Sequence, residues 1–350
     1  MDAVGHLAGW CLLVTRVFEA CKHQLKYRYF FSLLFCSSIM KLVAATLLAL
    51  AGSATAAAAV SSAESAQDVT LPRRSLAEVV HLPGDDAICD PNVKQYSGYF
   101  KLRTGGLLSK NYFYWFFESR NEPSTDPLVL WLTGGPGCSS EVALFGENGP
   151  CSTDGENTTI NPYSWNSKAN LLYVDQPTGT GFSYGLGMDH DEAQVAADMY
   201  DFLQQFLAEH KEYQANDFFA FGESYAGHYI PAVTHQIWQN NQDLPSGDVT
   251  INLKGTAVGN GLTDPEIQYK YYPEMAVSTN DHKPAIGKAE AALMEAAVGP
   301  CVEAIHGCQT NSSDCLVATE VCNAGLLIPY QLTGLNPYVS ALTDAPSLYG

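Results

Sequence analysis

The sequence predicts an α/β protein with a mixed, mostly parallel central sheet. Four short apolar runs, bounded by polar or proline-containing stretches, predict buried strands at residues 112–117, 128–132, 171–174 and 218–221. Between the last two runs, residues 191–210 carry apolar side chains at helical spacing, which predicts an amphipathic helix. Strands that alternate with a helix are typical of an α/β sheet with parallel strands.

The composition argues against two classes of protein. Of the 350 residues, 46% are hydrophobic and 16% are charged, which excludes a disordered chain. The 37 acidic and 18 basic side chains give a net charge of −19. This charge argues against a nucleic-acid partner, because phosphates require a basic surface.

The first 85 residues are predicted to lie outside the folded domain. Residues 40–58 combine a lysine, an apolar run and small residues, which is typical of a secretory signal peptide. Residues 1–39 are interpreted as an upstream extension, with an uncleaved anchor as the alternative. Residues 59–85 are predicted to be a linker or pro-segment. The body of the protein is therefore expected to enter the secretory pathway, where disulfides form.

A serine follows the last predicted strand. Ser224 lies in Gly-Glu-Ser-Tyr-Ala-Gly, between an apolar run and a segment that can form a helix. A strand, a sharp turn and a helix around a serine indicate a nucleophile elbow, which requires small residues two positions away. The alternative is an ordinary helix cap or turn.

A glycine-rich segment follows the strand at residues 128–132. Its sequence, Thr-Gly-Gly-Pro-Gly-Cys-Ser-Ser, allows the backbone to approach a ligand closely. In enzymes with a nucleophile elbow, such a loop supplies a second donor to the oxyanion. No Lys-Ser or Lys-Thr follows, which argues against a phosphate loop, and a structural tight turn is the alternative.

These two motifs resemble those of the serine carboxypeptidase family, in the carboxypeptidase Y and plant type III branch. The resemblance extends over Asn-Pro-Tyr-Ser-Trp-Asn-Ser at 161–167, Tyr-Val-Asp-Gln-Pro at 173–177 and Gly-Asn-Gly-Leu-Thr-Asp-Pro at 259–265. It implies an α/β-hydrolase fold and release of C-terminal amino acids from peptides. It implies no cofactor and no metal. The partners would be peptide or protein C-termini, and a homodimer is left open.

The resemblance also implies a role for each site residue. Ser224 would be the nucleophile that forms an acyl-enzyme, and the backbone N–H groups of Tyr225 and Gly135 would form the oxyanion hole. Four residues would bind the terminal carboxylate of the substrate: Thr133, Gly134, Glu223 and Glu147. An acidic side chain binds a carboxylate only when it holds a proton, and neighbouring buried carboxyl groups share one. The alternative for Glu147 is a solvated surface acid.

Four cysteines spaced by seven residues lie in an Ala-rich stretch: Cys301, Cys308, Cys315 and Cys322. Four cysteines allow three pairings. Two short helices turned back on each other, and the resemblance, favour the nested pairs Cys301–Cys322 and Cys308–Cys315. A zinc site is disfavoured because no Cys-x-x-Cys spacing is present. After residues 86–270, the N-terminal part of the hydrolase domain, residues 271–338 are predicted to be a helical, disulfide-stapled insertion or lid.

The resemblance stops at residue 338, and residues 339–350 are a divergent tail. The triad Asp and His of the family lie further downstream, so no base is assigned. The C-terminal part of the fold is expected to be missing. This chain is therefore expected to be inactive as given. The alternatives are an acyltransferase on the same fold and a non-catalytic binder of peptide C-termini. Asn157 and Asn311 are predicted glycosylation sites, and a vacuole-like compartment or the cell exterior is the expected location.

Overall fold

The computed structural model describes residues 78–81, 88–277 and 284–335. The predicted extension, signal peptide and tail lie outside these residues. So does His282. In the described part of the chain, ten strands form: β1 Glu78–His81, β2 Gln95–Lys101, β3 Lys110–Phe117, β4 Leu128–Leu132, β5 Cys151–Thr153, β6 Thr158–Ile160, β7 Asn170–Val174, β8 Tyr184–Gly185, β9 Phe218–Glu223 and β10 Leu253–Gly259.

Eight α-helices also form within the described residues: α1 Glu141–Gly146, α2 Glu192–Glu209, α3 Ala226–Gln242, α4 Pro265–Gln268, α5 Tyr272–Val277, α6 Lys288–Thr310, α7 Cys315–Cys322 and α8 Ile328–Gln331. The predicted helix is α2. The side chain of Asp191 caps its N-terminus, accepting a hydrogen bond from the N–H of Gln194 (2.9 Å). None of the described helices has the length and apolar character needed to cross a membrane.

The main sheet has the order β1-β2-β3-β7-β4-β9-β10, and β8 pairs with β3. The strands β7, β4, β9 and β10 run parallel to one another. The pairs β1–β2, β2–β3, β3–β7 and β3–β8 are antiparallel. The sheet is therefore mixed with a parallel centre, and the four predicted strands are β3, β4, β7 and β9.

Both faces of the sheet centre are covered by packed side chains. On β4, Leu128, Leu130 and Leu132 pack into one core with α2 and α3. Val129 and Trp131, which alternate with them, pack into a second core with α1. A strand buried on both faces is apolar at every position, and this explains why the run was recognisable in the sequence.

The helices after β10 have a core of their own. Tyr269, Met294, Ile305 and Leu326 are among its buried side chains. Residues 265–335 are therefore a helical segment with an interior separate from the two cores of the sheet. This agrees with the predicted helical insertion, although its boundaries stay a prediction.

Candidate active site

The predicted elbow is the connection between β9 and α3. Ser224, in this connection, has φ of +63°, and such a backbone is uncommon in a residue other than glycine and marks functional turns. Its N–H donates to the carbonyl of Gly259 (3.0 Å), and its carbonyl accepts from the N–H of Leu262 (2.9 Å). The residue is exposed. The turn is thus fixed to the end of β10 and presents its side chain to solvent.

Gly222 and Ala226, two positions from Ser224, are small because the surrounding atoms leave no room. A Cβ atom at Gly222 would lie 2.6 Å from the Cβ of Ala226 and 2.6 Å from the carbonyl oxygen of Leu132. Both distances are shorter than real contacts of a Cβ atom. This turn therefore has the steric constraint of a nucleophile elbow, which has room only for small residues two positions from the serine.

The glycine loop, residues 133–140 after β4, packs directly against the elbow. A Cβ atom at Gly134 would lie 2.3 Å from the backbone nitrogen of Tyr225 and 2.8 Å from the carbonyl oxygen of Glu223. Gly135, the next residue, has φ of +111°, which favours glycine. The structure therefore brings the backbone of the glycine loop to the backbone of Tyr225.

Thr133 begins the glycine loop and is held by two hydrogen bonds. The indole N–H of Trp131 donates to the hydroxyl oxygen of Thr133 (3.2 Å), and the N–H of Thr133 donates to Oγ of Ser140 (3.2 Å). Because the hydroxyl already accepts one hydrogen bond, its own proton is available to a second acceptor. This arrangement suits donation to a carboxylate.

Glu147 and Glu223, the cavity acid pair, line one cavity of about 530 Å³. Their carboxyl groups are hydrogen-bonded to each other, and partial desolvation together with Glu223 raises the pKa of Glu147 to about 7. Glu147 is exposed and Glu223 is half-buried, so the pair is less buried than the sequence suggested. Below pH 7 the pair holds a proton that it can donate to an anion.

The remaining wall of this cavity is largely aromatic. Trp131, Tyr163, Trp165 and Phe221 line it. The ring of Trp165 packs edge-on against Trp131 (centroids 5.4 Å apart) and Phe221 (5.9 Å). These residues were not predicted as site residues, since they come from separate segments and only the sheet order brings them together. An apolar wall with a few polar groups at one end is typical of a ligand site.

The family described as serine carboxypeptidase matches residues 83–345 of the chain. The chain belongs to the serine carboxypeptidase family. Carboxypeptidase Y homolog A of Arthroderma gypseum is 43% identical over 252 residues, which are 71% of this chain and 45% of that protein. A vacuolar serine-type carboxypeptidase of Saccharomyces cerevisiae is 44% identical over 249 residues, which are 70% of this chain and 47% of that protein.

A solved structure of the family is also similar. The prohormone-processing carboxypeptidase Kex1 of Saccharomyces cerevisiae superposes with a TM-score of 0.60 at 29% identity, over 71% of this chain and 56% of that chain. This neighbour and the sheet order show an α/β-hydrolase fold. The chain spans about half the length of the relatives it matches.

Two contacts hold the side chain of Tyr225 beside the elbow. Its hydroxyl donates to Oε1 of Glu192 (3.1 Å), and its ring stacks on His228 with centroids 4.6 Å apart and planes 6° apart. Burial, followed by the nearby Glu192, raises the pKa of Tyr225. Glu192 lies on α2 and was not predicted, because no local motif marks it.

A base for the hydroxyl of Ser224 is not found in the described part of the chain, where no hydrogen bond to this hydroxyl is formed. His228 is one helical turn away, but it stacks on Tyr225, and burial lowers its pKa. Its Nδ1 is buried and has no hydrogen-bond partner among the residues that the structure describes. His228 is therefore not assigned as the base, and the triad Asp and His of the family stay predictions.

Three disulfides cross-link the described residues: Cys89–Cys151, Cys301–Cys322 and Cys308–Cys315. The last two, here called the outer and the inner disulfide, join α6 to α7 in the predicted nested order. The first was not predicted. Its cysteines are 62 residues apart, and no spacing pattern marks such a pair.

The predicted glycosylation residues Asn157 and Asn311 are both exposed. Exposure makes them accessible for modification, and their use stays a prediction. Among the described residues, no three His, Cys, Asp or Glu side chains are grouped so that they could hold a metal ion.

Proposed function

We propose that this protein is a serine-type carboxypeptidase that releases C-terminal amino acids from peptides. Ser224 attacks the carbonyl carbon of the last peptide bond, the C-terminal amino acid leaves with a proton, and water then hydrolyses the acyl-enzyme. The observation that carries the proposal is the position of Glu223. It ends the strand that presents Ser224, and it also lines the cavity that contains Glu147.

Recognition of the substrate carboxylate is proposed to depend on the cavity acid pair. A single proton held between Glu147 and Glu223 allows one of them to donate a hydrogen bond to the carboxylate. Thr133 would donate a second hydrogen bond, which is supported by its acceptance of the Trp131 N–H. The backbone N–H of Gly134 would be a third donor.

The oxyanion of the tetrahedral intermediate is proposed to be stabilised by the backbone N–H groups of Gly135 and Tyr225. Support comes from the close approach of the glycine loop to the elbow, which leaves no room for a Cβ atom at Gly134. Donors fixed before the reaction need no rearrangement as charge develops on the oxygen.

The cavity also suggests a preference of the enzyme. Trp131, Tyr163, Trp165 and Phe221 form an apolar wall beside the cavity acid pair. A C-terminal residue whose carboxylate meets the acid pair would place its side chain near this wall. We therefore propose that peptides with an apolar C-terminal residue are preferred substrates.

A location in the secretory pathway, and a vacuole-like compartment within it, are also proposed. The signal-like sequence at residues 40–58 and the three disulfides support the first. The similarity to a vacuolar carboxypeptidase of Saccharomyces cerevisiae supports the second. An acidic compartment would also keep the proton on the cavity acid pair, since the pKa of Glu147 is about 7.

The test is hydrolysis of a blocked dipeptide by protein expressed from the complete coding sequence. We expect release of the C-terminal amino acid at acidic pH and loss of this activity in Ser224→Ala. The same dipeptide with an amidated C-terminus is the control, because it lacks the carboxylate. Equal hydrolysis of both substrates would contradict the proposed recognition. Transfer of an acyl group from a glucose ester, without peptide hydrolysis, would favour an acyltransferase. Binding of the dipeptide without turnover would favour a non-catalytic binder of peptide C-termini.

A further inference from the structure

A second pair of carboxyl groups lies beneath the glycine loop, apart from the aromatic cavity. Glu141 is the first residue of α1 and Asp175 directly follows β7. Their exposed fractions are 7% and 0%, and their carboxyl groups are hydrogen-bonded to each other. We call Glu141 and Asp175 the inner acid pair.

The contacts of Asp175 assign it the role of acceptor. Its Oδ1 accepts from the N–H of Ser140 (3.0 Å) and its Oδ2 from the N–H of Phe182 (2.7 Å). The loop after β7 closes around this side chain, and a Cβ atom at Gly181 would overlap Oδ2 of Asp175. Two backbone donors satisfy a carboxylate well, so the negative charge of the pair belongs on Asp175.

The contacts of Glu141 leave one position for a proton. Its Oε2 accepts from the hydroxyl of Ser139. Its Oε1 is buried and receives no hydrogen bond from the described residues. No Lys, Arg or His in the described part of the chain forms an ion pair with Glu141 or Asp175. Two buried carboxyl groups in contact, without a cation, can be satisfied only when one of them is protonated.

The last residue of the glycine loop, Ser140, connects the inner acid pair to the proposed active site. The hydroxyl of Ser140 donates to the carbonyl oxygen of Val174 (2.7 Å) and accepts from the N–H of Thr133 (3.2 Å). Asp175 holds the N–H of the same serine. The two ends of the glycine loop are thus fixed together at the end of β7.

We propose that Glu141 is a positioning residue: as a neutral acid it donates a hydrogen bond to Asp175, and this bond holds the glycine loop against the elbow. Ionisation of Glu141 would place two negative charges in contact in a buried site, and the end of the loop would have to move away. The proposal goes beyond substrate binding, because the inner acid pair does not line the aromatic cavity.

A tyrosine is another titratable group near the inner acid pair in the described part of the chain. Tyr99, on β2, has its pKa raised by burial and then by Tyr184, Asp175 and Glu141. Burial and the hydrogen bond with Asp175 raise the pKa of Glu141 to about 9. The folded protein therefore keeps this proton well above the ordinary pKa of a glutamic acid, 4.5.

The sign of the pH dependence follows from this difference. The pKa of Glu141 is higher in the folded state, so the stabilising contribution of its proton is complete below pH 4.5 and is lost as the pH rises towards 9. Each pH unit in this interval raises the unfolding equilibrium constant by up to about tenfold through this one group.

The test compares Glu141→Gln with wild type in the protein expressed from the complete coding sequence. The amide of Gln donates to Asp175 at every pH and still accepts from Ser139. Urea unfolding is measured from pH 5 to pH 9, and we expect the slope of the logarithm of the unfolding constant against pH to be smaller by up to about one in this variant. The matched control is Glu156→Gln, at an exposed glutamate, which should keep the wild-type slope.

The positioning role is read from hydrogen exchange of residues 133–140 and from kcat, with Glu141→Ala as the second variant. We expect the Ala variant to exchange at least about tenfold faster in this loop and to lose at least about tenfold in kcat, while Gln restores both.

A Gln variant with the wild-type slope would overturn the proposal. So would an Ala variant with wild-type exchange. The kcat measurement rests on the proposed function, whereas unfolding and exchange decide the role of Glu141 even if the protein hydrolyses no peptide. If the Ala variant does not fold, the slope and loop exchange of the Gln variant still decide.

Discussion

The contact between the glycine loop and the elbow makes Gly134→Ala the sharpest perturbation of the site. The added Cβ atom would lie 2.3 Å from the backbone nitrogen of Tyr225, where ordinary contacts begin at 3.4 Å. The colliding atoms belong to backbone, so either the loop or the elbow must move by about 1 Å. Overpacking of this kind costs roughly 1–3 kcal/mol of the free energy of unfolding, and a displacement of about 1 Å at a reacting centre costs on the order of 10²-fold in rate.

Urea unfolding and dipeptide hydrolysis measure these two effects. The matched control is Gly146→Ala, because a Cβ atom at Gly146 meets nothing within 4 Å. This residue ends α1, so alanine should be neutral or stabilise the protein by about 0.5–1 kcal/mol. If Gly134→Ala unfolds at the same urea concentration as the control and keeps its kcat, the close approach of loop and elbow is wrong.

Three further results are expected. The KM for peptides should rise by up to about tenfold per pH unit above pH 7, because Glu147, with a pKa of about 7, then loses the proton that binds the carboxylate. The KM of the Glu147→Gln variant should not change with pH. A wild-type KM that stays flat from about pH 5 to pH 8 would contradict this mechanism. Replacing both cysteines of the outer disulfide, which are 21 residues apart, should cost about 3 kcal/mol of unfolding free energy, because a longer closed loop restricts the unfolded chain more. The same change at the inner disulfide, which spans 7 residues, should cost about 2 kcal/mol, and equal losses would refute this dependence on loop length. Peptide mapping without reductant checks the pairing. A fluorophosphonate probe should label Ser224 of the 350-residue chain slowly, since no described residue forms a hydrogen bond with its hydroxyl and a serine without its base loses roughly 10⁴–10⁶ in rate. Rapid labelling that Ser224→Ala abolishes would contradict this expectation.

The sequence predicted four strands from short apolar runs, and two of these strands are buried on both faces. β4 and β7 have every residue buried, and their apolar runs are unbroken. β10 was not predicted, because its residues alternate irregularly between exposed and half-buried and include Lys254 and Gly255. It forms because its backbone pairs with β9. Such pairing requires no particular pattern of side chains in the strand, so the sequence does not indicate it.

The site was predictable where it depends on local sequence. The elbow at Ser224 and the close approach at Gly134 each require small residues at fixed positions, and these requirements are visible in the sequence. Asp175 and Glu192 were missed because each acts on a partner in a distant segment. Asp175 reaches the glycine loop only because β7 lies next to β4 in the sheet, an order that spacing does not encode.

The separate core of the helical segment, residues 265–335, has a consequence for how relatives diverge. Its buried side chains, among them Met294 and Leu326, pack mainly with one another, and two disulfides close it internally. A substitution inside this segment can be compensated there, without repacking the strands that carry Ser224. Selection can therefore remodel the segment while the chemistry of the elbow is conserved. We expect sequence differences between close relatives to be concentrated in these helices rather than in β4 and β9.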